Sequence, residues 1–329
     1  KSVGGQRTVT VLVRTGTYVL DAPLVITPDM SGTEAGPTVI AAYPGEKPII
    51  TGGVKLAGWK VANGRWTMQI PEVRDGKWYF EQLFVNDQRR YRPRLPKNGY
   101  YFIAAEAPPS PEAQGKGYNR FVFNGTDIRA DWHNRSDVDV LCFQQWTMAR
   151  LRIADVNAER HTVRFVRPTL GLVSHAALAA GQRYIVENVR EALTEPGEWY
   201  LDRKSGELTY VPRAGEQPDN ADVWAPRLEH LVEFRGDMQT RQWGQHVSLN
   251  GLTFAHSNWI TDEGGYQAIQ AEWPIGGAIR AVGARHCRLD GCTVKHVGGY
   301  AVEFGAACQH ATIENCKMVD MGAGGVKLG

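Results

Sequence analysis

The 329-residue chain lacks most of the features that narrow a function early, and each absence closes a class. A surplus of one charge is missing: 37 Lys and Arg against 35 Asp and Glu leave a net charge of +2. With no extended basic stripe, nucleic acid is not an expected partner. No stretch approaches the ~20 apolar residues of a membrane helix, so no membrane partner is expected either. The opening residues Lys1 to Gly5 show no signal-peptide pattern. Cysteine is scarce and odd in number, five in all, with no CxxC or Cys/His spacing. That excludes a disulfide framework and a zinc site, and no metal or other cofactor is called for. Nothing in the composition sets an oligomeric state. What is present, 43% apolar and 22% charged residues, suits a globular protein with a large core and room for two domains.

The most informative stretch is a repeat. Leu289 to Gly305 aligns without a gap on Ile313 to Gly329, a spacing of 24 residues. Cys292 falls on Cys316, Val294 on Met318, Gly298 on Gly322, Val302 on Val326 and Phe304 on Leu328. A period of this length marks a solenoid, in which each unit buries its apolar face only against the next. Alternation of period two, broken often by glycine, makes the unit a coil of short strands. Leu249 to His256 and Ile279 to Ala281 supply an earlier coil, lengthened by an excursion over 257–277. The expected fold class is all-β, a right-handed parallel β-helix with strands stacked about 4.8 Å apart.

Short strands divided by Pro and Gly turns over residues 1–57 read as the first coils. Over 58–227 the coil period disappears, and longer alternating runs rich in Trp, Tyr and Arg take over. Asn86-Asp87 and Lys204-Ser205-Gly206 look like hairpin turns there, which predicts an inserted antiparallel β domain. Coils resume over 228–329. The last residues, Val326 to Gly329, stand in mid-repeat, so further coils are expected to follow.

The register places His256, His296 and Asp320 at one position of successive coils, an ionisable column at a strand end. The excursion after His256 brings Asp262, Glu263, Trp259, Tyr266 and Trp273 to the same rim. Flat rings with polar edges suit sugars, whose C–H faces are apolar and whose hydroxyls hydrogen-bond outward. Glycoside cleavage needs two carboxyl groups across the scissile bond. Asp320 is the first candidate for one of them, with Asp262 and Glu263 reaching over from the excursion, or an acid on a later coil, as its partner. His256 and His296 are expected to hold substrate or tune Asp320. Arg90 and Arg92, in the basic run Arg89 to Arg94, are candidates for an anionic sugar's carboxylate. Glu303 and Lys327 share a position and read as a surface ion pair.

Several segments together resemble a known group. They are Gly16-Thr-Tyr18 with Pro44-Gly-Glu46, Leu83 to Arg94, Pro196 to Asp202 with Gly206 to Tyr210, and His296 to Tyr300 followed by Asp320 to Val326. The chain resembles bacterial right-handed β-helix glycoside hydrolases, family 141 with its fucosidase and xylanase activities first, and family 120 xylosidases more distantly. The resemblance implies a secreted or periplasmic hydrolase of plant or microbial polysaccharide that works with an aspartate pair. It carries over Asp320 alone. Two other functions stay open. A polysaccharide lyase of the same fold would want a calcium cluster of acids, and no tight group of Asp in the coils supplies one. A β-helix can also be a carbohydrate-binding scaffold without catalysis.

Overall fold

The computed structural model describes residues 6–329; the opening Lys1 to Gly5 lie outside the described residues. The described residues are all-β, the single α-helix among them being the four residues Pro71–Arg74. Three parallel sheets of five strands each carry the repeat. The first holds Val9–Val13, Thr38–Ala42, Val247–Asn250, Arg288–Asp290 and Thr312–Glu314. The second holds Thr17–Val19, Ile49–Thr51, Thr253–Ser257, Thr293–Val297 and Lys317–Met321. The third holds Leu24–Ile26, Val232–Arg235, Gly277–Val282, Tyr300–Phe304 and Val326–Leu328. The chain visits the three in rotation, one strand in each per coil.

The pairing follows the repeat residue by residue. Leu289 pairs with Ile313, Val294 with Met318 and Val302 with Val326, while Leu249 pairs with Leu289 and Ile279 with Val302. Side chains that alternate along each strand therefore stack in columns, and the inward columns, among them Leu249, Phe254, Leu289, Val294 and Val302, make one core. The buried Cys287 and Cys292 sit in that core as free thiols.

The corners and bends of the coils explain several residue choices. His246, His286 and His310 share one corner, and His256, His296 and Asp320 share a bend at the next-to-last residue of successive strands of the second sheet, all with φ between 51° and 61°. That left-handed region is costly for most side chains and best tolerated by Gly, Asn, Asp and His. The polar columns thus begin as a backbone requirement, before any chemistry.

After Thr51 the chain leaves the coils. Gly53–Leu56 runs antiparallel to the returning Val223–Pro226, with Gly53 opposite Pro226, so the long excursion departs and re-enters at one place. The excursion is antiparallel. A nine-stranded sheet built around Asp139–Phe143 and Met148–Asn157 has its own core, and a four-stranded sheet of Lys60–Ala62, Arg65–Gln69, Trp199–Leu201 and Glu207–Tyr210 contributes to another. Val85 pairs with Gln88 across the turn Asn86-Asp87, whose φ values of 52° and 60° are those of a two-residue hairpin.

Candidate active site

The column forms, and the hairpin Leu83–Val85 to Gln88–Arg90 closes over it. The rings of His256 and His296 stack at 5.6 Å, and His296 Nδ1 meets Asp320 Oδ2 at 2.7 Å. Phe84 packs 5.1 Å from the first ring and 4.8 Å from the second, while Trp224 lies flat on His256 at 5.3 Å. His256 is 6% exposed, and burial pushes its pKa down to about 3, which keeps the ring neutral. Its Nδ1 shares a hydrogen bond with the Thr51 hydroxyl at 2.9 Å. His296 meets Asp87 through Nε2 at 3.0 Å.

Asp320 is engaged at both oxygens. Arg89 Nε donates to Oδ1 at 2.7 Å, and His296 holds Oδ2. Burial works to raise its pKa, but the bonds from His296 and Arg89 outweigh it and hold the carboxyl below the usual aspartate range. An anion pinned in this way ties the coils to the excursion and is poorly suited to give up a proton to a leaving group. His256 and His296, placed on the substrate face by sequence, are instead covered by Phe84.

The basic run, read from sequence as a substrate clamp, is likewise engaged internally. Arg90 is 4% exposed and donates to Glu216 and to the Tyr210 hydroxyl. Arg92 bonds Asp139 at 2.7 Å and Glu187 at 3.3 Å, in a buried cluster with Arg150, Arg152 and Glu81. Burial of Asp139 opposes its charge, but Arg92, Arg150 and Arg152 keep its pKa low. With the guanidinium groups turned inward to carboxylates, neither Arg90 nor Arg92 presents a free fork to a sugar. The signal missed in sequence was the bonded acids Glu216, Asp139 and Glu187, which lie 47 to 126 residues away and show no local pattern.

The excursion after His256 is where the surface opens. Trp259 and Tyr266 meet edge to face, centroids 5.3 Å apart, on the wall of a hollow of about 480 Å³. Glu229, His230, Asp262, Arg280 and Glu303 complete it. Asp262 lines a second hollow as well, with Glu263, Asp137, Arg152 and Arg203. Asp320 lines neither. Trp273 stands 60% exposed on the return limb, next to Pro274 and Ile275 of the first hollow.

Glu303 was read as a surface charge paired with Lys327. The pair forms at 3.0 Å, but the Glu303 side chain is only 9% exposed. Gly277 explains the burial: a Cβ there would stand 2.7 Å from the Glu303 nitrogen, so only glycine lets the strands approach, and its N–H donates to Oε2. Burial would raise the Glu303 pKa, but Lys327, that N–H and Arg280 bring it below the ordinary glutamate range. Glu229 and His230, exposed or half-buried where the excursion re-enters the coils, carried no motif and were missed.

Comparison with known proteins agrees with this architecture. Residues 64–213 match the family described as the GH141 insertion domain. A solved structure described as a glycoside hydrolase superposes over 98% of this chain with a TM-score of 0.80 at 22% identity. This chain spans 60% of that protein's length. A second structure, described as a complex of XylC with xylose, is similar at 10% identity and a TM-score of 0.39, over 95% of this chain and 48% of its own. No curated protein matches. Residues 64–213 thus resemble the family 141 insertion domain, and the fold resembles that of a solved glycoside hydrolase.

Proposed function

We propose that the three sheets wind as a right-handed parallel β-helix and that the protein is a glycoside hydrolase whose cleft is the hollow beside Trp259 and Tyr266. The observation that carries this reading is the company of those two rings: Glu229, Asp262 and Glu303 with Arg280 line the same space. Rings offer an apolar face to a sugar, and the charged groups meet its hydroxyls. The insertion-domain match supports the same reading.

Asp262 and Glu229 are the carboxyl groups that face solution, whereas Glu303 is held ionised by Lys327 and Arg280. In hydrolysis one carboxylic acid protonates the glycosidic oxygen as its bond to the anomeric carbon breaks. The opposite carboxylate either takes a proton from the attacking water or bonds that carbon until water replaces it. Asp262 and Glu229 fill these two roles. Glu263, on the far side of Asp262, and Trp273 extend the binding surface. The substrate class is a plant or microbial polysaccharide or its oligosaccharides, cut in the manner of a fucosidase, xylanase or xylosidase, and the protein acts in a secreted or periplasmic setting.

Turnover of aryl fucosides, xylosides and arabinosides by the protein and its variants tests the reading. Asp262→Asn and Glu229→Gln are each expected to lower kcat by roughly 10²–10⁴-fold, the range for removing an acid or base. Asp320→Asn is expected to keep kcat within a few fold while lowering the melting temperature. Loss of turnover in Asp320→Asn with full activity in Asp262→Asn would overturn the assignment.

A further inference from the structure

Trp146, at the turn between Asp139–Phe143 and Met148–Asn157, is 75% exposed, the most open indole among the described residues. Such a ring on a tight turn would ordinarily be free to swing, yet this one is held. Its inner face stacks on His175 at 5.3 Å and 21°, leaving the other face to solvent.

The turn beneath it is braced by hydrogen bonds to the backbone at Ala176 and to the side chain of Gln267. Gln144 Nε2 donates to the Ala176 carbonyl at 2.5 Å, and the Thr147 hydroxyl donates to Gln144 Oε1 at 2.8 Å. Gln267 Nε2 donates to the same Gln144 oxygen at 2.6 Å, and Gln267 Oε1 accepts from the Leu170 N–H. Gln267 is the residue after Tyr266, whose ring walls the proposed cleft. Its strand pairs directly with Met148–Asn157, Tyr266 opposite Arg150 and Gln267 opposite Ala149. Trp146 lies on the turn four residues before Arg150, the strand partner of Tyr266, and so within about 14 Å of it even for a fully extended chain.

On the other side of the turn the aromatic surface continues. Tyr100 meets Phe143 edge to face at 5.3 Å, and the Arg183 guanidinium lies 4.9 Å over Tyr100, with donors beside an apolar face.

We propose that this surface is a second saccharide-binding platform, on which a neutral polysaccharide chain lies as it runs out of the cleft, with Trp146 stacking on the C–H face of one sugar. The inference rests on the glycosidase reading for its direction. The fixed open ring, the polar neighbours His175 and Arg183, and the pairing of the following strand with that of Tyr266 give it its chemistry. A second copy of this chain is the competing occupant, since Leu172 and Val173, beside His175, are also exposed.

Trp146→Ala and His175→Ala are compared with the parent protein in three measurements: retention in gels containing soluble arabinoxylan, kcat/KM on that polymer, and kcat/KM on an aryl xyloside. Trp146→Ala is expected to lose the retention and about tenfold in polymer kcat/KM, with the aryl xyloside value within twofold. His175→Ala is expected to show a smaller loss of the same kind, because the ring remains but is freed. Equal losses on both substrates, unchanged retention, or a change of mass in solution on Trp146→Ala would each overturn the platform. If the parent turns over no glycoside, the hydrolase reading fails, and retention alone then decides the platform; a parent not retained overturns it.

Discussion

His256 is the residue at which packing and ionisation meet most directly. It lies between Trp224 and Phe84 with its Nδ1 on Thr51, and burial keeps it neutral down to about pH 3. In the unfolded chain the same ring takes a proton near its ordinary value of 6.5. Between those values the unfolded state binds more protons, so stability rises with pH across the window and falls on acidification. Integrated over that window the contribution is roughly 4–5 kcal/mol. Asp320 acts in the same direction further down, since its depressed pKa adds stability that is lost as pH falls through the folded value. Urea unfolding followed from pH 7 to pH 4 is therefore expected to show a steep loss in the parent protein. His256→Asn tolerates the left-handed bend, and its loss is expected to be clearly shallower. Equal slopes would mean that the ring is solvated in the folded state.

The column itself was legible in sequence because it follows from the repeat: a period of 24 residues puts Asp320 over His296 whatever else the chain does. Its cover was not legible. Phe84 and Arg89 come from a hairpin some 170 to 230 residues earlier, and no local pattern marks a contact of that separation. For the same reason Arg90 and Arg92 read as a patch, while their partners Glu216, Asp139 and Glu187 were scattered acids. At residue resolution, then, sequence placed the polar groups along the coil and left open what lay against them.

Among the elements, the loop after His256 decides whether a cleft exists. It begins with Asn258 donating to the Tyr79 carbonyl and Trp259 bonded both ways to Gln82, and Thr261 then donates to Glu81 at 2.8 Å. Glu81 also accepts from Arg152, so the loop is fastened to the buried ionic cluster. Thr261→Val keeps the shape and removes one donor to a buried carboxylate, a change worth about 1–3 kcal/mol. The expected outcome is a lower melting temperature and a several-fold rise in KM for aryl glycosides, with kcat changed much less because Asp262 and Glu229 are retained. An unchanged KM would show that the bond does not position the loop. The aromatic and acidic content of this loop could be read in advance, but its anchor could not, because Glu81 belongs to the excursion.

Across the whole molecule, three cores are joined by few elements. The coils have one, the nine-stranded sheet another and the smaller sheets a third. The strand Gly265–Gln267 is the piece of the coil region that adds to the nine-stranded sheet. It fits only as glycine at its first residue, where φ is 97° and a Cβ would lie 2.2 Å from the Arg150 carbonyl oxygen. This strand couples the units as well as walling the cleft. The parent protein is expected to unfold in a single calorimetric transition. Replacing residues 262–272 by a short Gly/Ser link removes the strand, while the bonds of Asn258, Trp259 and Thr261 to Tyr79, Gln82 and Glu81 and those of the hairpin over the histidine column, Arg89 to Asp320 and Asp87 to His296, remain. The nine-stranded sheet is then expected to melt separately and several degrees lower, with turnover lost as Asp262 and Tyr266 go. A single transition at the parent temperature would place the coupling in the hairpin over the histidine column instead, where Arg89→Ala would then be the change that divides the melt.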